Sequence, residues 1–165
     1  MTVKVGDKLP EASFTIMGDD GPKTVTTNEV FSGRKVALFA VPGAFTPTCH
    51  AQHMPGFLAH LDDLSQKGID EVACTAVNDV FVLDNWAKAT GANGKVTMLA
   101  DGSADFANKT GLVIDLSDHG LGIRSKRYAM LVDDGVIKVL NIDEVPPVHD
   151  KSSAETLCSD IGDKI

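Results

Sequence analysis

The sequence predicts an α/β protein with a mixed central sheet, helices on both faces and an N-terminal hairpin extension. Three patterns point there. Short apolar runs bounded by turn residues alternate with longer helical patterns, which implies strand–helix–strand units with parallel pairing and right-handed crossovers. Asp133-Asp134-Gly135 stands between two apolar runs, a hairpin signal that adds antiparallel strands. Asp19-Asp20-Gly21 separates residues 13–16 from 24–27 in the same way.

Taken in order, residues 36–41 (VALFAV) form an apolar run suited to a buried strand. After the turn PGAFTPT, a helix is expected from about residue 49 to 66, kinked at Pro55 and ended by Gly68. Residues 71–77 (EVACTAV) read as a second buried strand. Residues 79–90 read as a helix with Val82, Leu83 and Trp86 on one face, stopped by Gly91. Residues 96–100 form a third short strand. Residues 128–132 and 136–140 flank the second Asp-Asp-Gly. Ser152-Ser153-Ala154-Glu155 has the capping-box pattern, with Ser152 as N-cap and Glu155 three residues on. The helix that follows carries Ala154, Leu157, Cys158, Ile161 and Ile165 on one stripe.

At 165 residues, with no repeat and no long polar linker, residues 1–165 are expected to form one domain with its own core. Acidic side chains number 23 and basic ones 15, a net charge of −8. This balance disfavours nucleic acid and anionic membranes as partners. No run of 18 apolar residues exists and the first residues lack a signal-peptide apolar region, so a cytoplasmic protein is expected. Three cysteines are an odd number for a disulfide framework, so Cys49, Cys74 and Cys158 are read as packed or reactive thiols.

Cys49 is the residue expected to carry chemistry. It follows a buried strand and a Pro-rich turn and opens a helix, where unpaired N–H groups and the helix dipole favour thiolate over thiol. Asp or Asn would serve better as a plain cap. The stretch from Val41 through Pro42, Thr46 and Cys49 to His53-Met54-Pro55-Gly56-Phe57 resembles the active-site signature of the peroxiredoxins, and most nearly the type-5 (plant type II) group. The core Pro-x-x-x-Thr-x-x-Cys is met by Pro42, Thr46 and Cys49. Val77-Asn78-Asp79, Trp86-Ala87, Ala100-Asp101, residues 121–128 (LGIRSKRY) and residues 152–156 (SSAET) extend the likeness over essentially the whole chain.

That resemblance implies a thioredoxin-like fold and a cofactor-free, metal-free reduction of hydrogen peroxide and organic hydroperoxides, passing through a sulfenic acid on Cys49. It implies that Thr46 and Arg127 bind the peroxide oxygens and that Pro42 shields the site, with Arg124 a weaker candidate than Arg127. The scheme is chemically coherent: a thiolate attacks, and donors meet the charge developing on the leaving oxygen. It also implies a homodimer, for which the loop around Phe45, Pro47 and Phe81 is the expected contact.

The thiol that resolves the sulfenic acid stays open among Cys74, Cys158 and an external reductant such as glutathione, glutaredoxin or thioredoxin. Cys74 lies inside a strand pattern and Cys158 on an apolar helical stripe, so each also reads as core packing. His50, His53 and His60 lie near Cys49 but supply no clear four-ligand zinc set. His53 is expected to pack or hydrogen-bond near the loop, and His50 to be an exposed polar position. A Cys–His hydrolase using His53 or His119 lacks an orienting group. No CxxC, Walker loop or GxGxxG occurs. A redox sensor that stores oxidation at Cys49 for a partner is the alternative reading of the same thiol.

Overall fold

The computed structural model describes residues 1–145 and 148–162. The N-terminal hairpin forms from β1 (Ser13–Gly18) and β2 (Gly21–Thr26), with Gly18 opposite Gly21 across the Asp19-Asp20 turn. Thr27, expected in the second strand, instead begins the short helix α1 (Thr27–Phe31), because Thr26 accepts from the Glu29 N–H as an N-cap.

Next comes β3 (Lys35–Ala40), a π-helical turn (Cys49–His53), α2 (Met54–Ala59), α3 (Leu61–Gln66), β4 (Glu71–Ala76), α4 (Val80–Thr90) and β5 (Thr97–Ala100). The helix expected over residues 49–66 is therefore three pieces: the π-helical turn gives way to α2 at Met54, beside Pro55, and α2 gives way to α3 at His60. Pro55 lies in the first turn of α2. His60 leaves the helical backbone (φ −111°, ψ 13°), and its ring bonds the Gly56 carbonyl. On α4, Gly91 (φ 77°) ends the helix, as expected, while Asp79, expected as its first residue, is instead its N-cap; the buried face is Val80, Leu83, Trp86 and Ala87, with Val82 half-exposed.

The last third holds α5 (Asp105–Thr110), β6 (Val113–Leu116), a 3₁₀ turn (Ser117–His119), β7 (Gly122–Ser125), β8 (Arg127–Asp133), β9 (Val136–Asp143) and α6 (Ala154–Gly162). Asp134 (φ 49°) and Gly135 (φ 79°) make the two-residue turn between β8 and β9, both with the left-handed backbone such a turn requires. The capping residue of α6 is Ser153, which accepts from the Thr156 N–H, and not Ser152. Ser152 instead turns its hydroxyl to Asp143. Ala154, Leu157, Cys158 and Ile161 form the buried stripe; Ile165 lies outside the described residues.

Seven strands make one sheet in the order β2-β1-β5-β4-β3-β8-β9, and β6 and β7 pair separately. β3–β4 and β4–β5 run parallel, and the other contacts are antiparallel. The pleat of β3 divides the core: Ala37, Phe39 and Val41 face α2, α3, α4 and α6, while Val36, Leu38 and Ala40 face α1 and α5. Helices thus cover both faces. Two features of this frame place the site. The register Ala40↔Tyr128 sets Arg127 just beyond the carboxyl end of β3, where the loop to Cys49 begins. The register Arg127↔Asp143 sets Asp143 beside it on β9.

Candidate active site

The loop after β3 is fastened at several points. Pro42 is buried, and its carbonyl accepts from Arg124 Nη1 at 3.3 Å, while Arg124 Nε donates to the Leu121 carbonyl at 2.8 Å. Gly43 has no room for a side chain: a Cβ there would stand 2.9 Å from Arg124 Nη1 and 3.1 Å from Thr46 Cγ2. The Ala44 N–H donates to Asn78 Oδ1 at 2.9 Å, tying the loop to the start of α4. Phe45 takes a positive φ of 64°, uncommon for a bulky residue, and points into solvent. The Thr46 hydroxyl donates to the Gly43 carbonyl at 2.6 Å. The donor expected for substrate is therefore engaged within the loop, and Thr46 presents lone pairs instead.

Cys49 is fully buried at the first position of the π-helical turn. Arg127 Nη2 donates to Cys49 Sγ at 3.1 Å. Arg127 is 2% exposed, so its permanent charge lies inside the protein against the sulfur. The sequence motif and the arginine are thus brought together from positions 78 residues apart. Arg124 lies outside this contact and holds the loop.

His53 joins the group from one turn further along. Its Nδ1 meets Arg127 Nη1 at 3.0 Å and its Nε2 meets the Ser152 carbonyl at 2.9 Å. A carbonyl can only accept and a guanidinium can only donate, so the network assigns the proton to Nε2 and the lone pair to Nδ1. Burial, and next the Arg127 charge, hold His53 well below the usual histidine range, which agrees with a neutral ring. The ring packs against Phe39 (centroids 4.9 Å apart), Phe57 (5.6 Å) and His149 (4.7 Å). His149 is likewise pushed down by burial and by Arg127.

The Ser152 carbonyl is fixed by Asp143. Asp143 Oδ2 accepts from Asp150 N (3.1 Å), Ser152 N (3.0 Å) and Ser152 Oγ (2.6 Å), and Oδ1 accepts from Lys151 N (3.0 Å). Burial works to raise the Asp143 carboxyl, but these bonds carry it below the ordinary carboxylate value. His149, Ser152 and Asp143 were not singled out by sequence reasoning as site residues. Ser152 drew notice as a cap and as part of the SSAET likeness, and nothing in the sequence marks Asp143.

The remaining candidates separate clearly. Cys74 is fully buried on β4, with Phe39 beside it on β3 and Met98 on β5. Burial, and then the Cys49 sulfur, push its thiol well above the usual value. Cys158 lies on α6, where burial and Asp63 raise its thiol. All three cysteines are free thiols. His50 is exposed but not idle: its Nδ1 accepts from Trp86 Nε1 at 3.0 Å, and its ring stacks on Phe45 at 5.8 Å. His119 is exposed on the 3₁₀ turn. Among the described residues no group of three His, Cys, Asp or Glu side chains could hold a metal.

The chain has relatives in both sequence and structure. Residues 4–158 match the Redoxin family. The chain is 47% identical over 162 residues to peroxiredoxin-2E, chloroplastic, of Arabidopsis thaliana, covering 94% of this chain and 68% of that protein. It is similar in structure to reduced Prx3 of Vibrio vulnificus in complex with H2O2, with TM-score 0.92 and 41% identity over 97% of this chain and 99% of that one. Peroxiredoxin 5 from Alvinella pompejana superposes with TM-score 0.87 and 33% identity, over 98% and 99% of the two chains. The fold is thioredoxin-like, and the chain belongs to the redoxins. Within that family it is a peroxiredoxin, a thiol-dependent peroxidase.

The depressed His53 value predicts a pH dependence of stability. The unfolded ring binds a proton near pH 6.5, above the folded value. Stability is therefore complete above about pH 6.5 and falls as the pH drops below it, by up to roughly 1.4 kcal/mol per pH unit from His53. His149 adds a smaller share of the same sign, and Asp143 acts in the same direction at lower pH. Urea midpoints should decline from pH 6.5 to 5, and His53→Gln should flatten that decline; an unchanged slope in the variant would count against the assignment.

Proposed function

We propose that Cys49 is the peroxide-reducing nucleophile of a type-5 (plant type II) peroxiredoxin, acting on hydrogen peroxide and alkyl hydroperoxides. The observation that carries this reading is the 3.1 Å contact between Arg127 Nη2 and Cys49 Sγ in a buried site. The Cys49 thiolate attacks one peroxide oxygen. The S–O bond forms as the O–O bond breaks, the sulfur is oxidised by two electrons, and the leaving hydroxide or alkoxide takes a proton to become water or alcohol. Arg127 meets the charge that develops on the oxygens. Thr46, its hydroxyl hydrogen engaged by the Gly43 carbonyl, accepts a hydrogen bond from the proton-bearing end of the hydroperoxide. Pro42 closes one wall of the loop.

An external thiol is the proposed reductant, with glutathione, glutaredoxin and thioredoxin as candidates. Two thiols reduce the sulfenic acid to the thiol, yielding one disulfide and one water. Cys74 is disfavoured as resolving thiol because it is protonated, fully buried and held in an interior strand. Cys158 is disfavoured because burial and the neighbouring Asp63 carboxylate keep its thiol protonated. A homodimer is proposed through the exposed rings of Phe45 and Phe81, which are 51% and 59% exposed, together with exposed Pro47.

Three outcomes follow. Peroxide consumption with a thiol reductant should vanish in Cys49→Ser and fall about 10²–10³-fold in kcat/KM in Arg127→Ala, the scale of one lost transition-state donor; full activity in Cys49→Ser would remove the proposal. Peptide mapping after peroxide and glutathione should show a mixed disulfide on Cys49 and no bridge from it to Cys74 or Cys158. Sedimentation of the reduced protein should give a dimer that Phe81→Asp weakens, whereas a monomer at all concentrations would rule the interface out.

A further inference from the structure

We propose that His53 is a positioning residue for the peroxidase step: as its Nε2–H tautomer it accepts from Arg127 Nη1 and so aims Arg127 Nη2 at Cys49, and Asp143 fixes that tautomer through the turn at residues 150–152. This rests on the reading of Cys49 as the nucleophile.

The guanidinium is a rigid plane, so holding one terminal nitrogen sets the direction of the other. Nη1 lies 3.0 Å from His53 Nδ1 and Nη2 lies 3.1 Å from Cys49 Sγ. The first contact needs a lone pair on Nδ1. The Ser152 carbonyl, 2.9 Å from Nε2, supplies the reason the proton sits on the other nitrogen. A ring protonated on both nitrogens would turn an N–H toward the guanidinium and place a second positive charge beside it. The contact works only with the neutral ring in one tautomer.

The carbonyl that selects the tautomer is itself held. Asp143 accepts from three successive backbone N–H groups, those of Asp150, Lys151 and Ser152, and from the Ser152 hydroxyl. Asp143 is also the cross-strand neighbour of Arg127. The strand pair that carries the guanidinium therefore carries the anchor of the group that aims it. Phe39 and Phe57, themselves stacked 4.0 Å apart, wall the imidazole ring. The charged and titratable groups around His53 are Cys49 on its own turn, Arg127 on β8, Asp143 on β9, and His149 with Asp150 on the segment before α6. Cys74 on β4 lies within the field of Cys49 and Arg127.

The test pairs two measurements. ¹⁵N NMR of the histidine rings in reduced wild-type protein should show His53 protonated at Nε2 alone. Stopped-flow oxidation of Cys49 by hydrogen peroxide should slow in His53→Phe, which keeps a ring of similar size and loses both polar contacts, by on the order of 10²-fold for a misdirected guanidinium. His53→Gln, whose amide offers one acceptor and one donor, should recover most of that rate. Asp143→Asn should give a mixed tautomer and a slower oxidation. A His53 ring protonated at Nδ1, or wild-type oxidation rates in His53→Phe, would overturn the proposal. Should His53→Phe fail to fold, a wild-type rate together with an unmixed Nε2–H ring in Asp143→Asn would overturn it. A wild-type protein whose Cys49 does not react with peroxide sinks the functional reading itself, whatever the tautomer, so the two failures are distinguishable.

Discussion

The structure depends on one arrangement: a permanently charged guanidinium held inside the protein against a sulfur. Moving such a charge out of water is expensive unless its hydrogen-bonding hydrogens find partners. Arg127 is 2% exposed, and its two terminal nitrogens meet Cys49 and His53. Much of the local architecture follows from that requirement. β8 must begin at Arg127 so that the side chain enters beyond the end of β3, which the register with Ala40 achieves. The turn after β3 must bring both Cys49 and His53 inward. A π-helical turn, whose Met54 N–H reaches the Cys49 carbonyl, spans that four-residue interval with both side chains buried.

The loop before that turn explains why its residue types matter. Arg124 and Thr46 close on the place where Gly43 would carry a side chain, so a larger residue there would displace the arginine that bonds the Pro42 carbonyl. Phe45 bears an unfavourable left-handed backbone, and its ring is exposed except for stacking on His50. Such strain persists only where neighbouring bonds over-determine the chain, and the contacts of Ala44 with Asn78, and of Thr46 with Gly43, do that here. The hydrogen bond from buried Trp86 to His50 adds a further tie between α4 and the Cys49 turn.

The features legible in the sequence were those with a short-range cause. VALFAV is apolar throughout and EVACTAV nearly so, because β3 and β4 are buried on both faces, and each appears as a strand that ends one residue earlier than expected. The two Asp-Gly turns fixed two hairpins. Cys49, Thr46 and Pro42 were readable because they fall within eight residues; Arg127 needed the resemblance, having only a solvated cation's local context. What escaped had distant causes. α5 has no cap of its own: it starts at Ala104 in a left-handed backbone (φ 58°), and Asp101 takes the Phe106 and Ala107 N–H groups. β6 and β7 form a separate half-exposed pair with little apolar periodicity. Ser152 looked like a helix cap because its sequence is a capping box, but the buried carboxylate of Asp143 competes for its hydroxyl, and Ser153 caps instead. His53 and Ser152 are 99 residues apart, and no spacing rule connects them.

The three thiols show why burial alone does not make a cysteine inert. Cys49 and Cys74 are both fully buried, and Cys158 nearly so. Burial raises the latter two thiols, which disfavours attack on an oxidised sulfur. Cys49 differs in what stands beside it: a fixed positive charge within hydrogen-bonding distance. The coupling between Cys49 and Cys74 adds a further constraint. After burial, the Cys49 sulfur is the next cause that pushes the Cys74 thiol up, so the two sulfurs disfavour being charged together. The sheet thus carries, next to Cys49, a second thiol held in its protonated form.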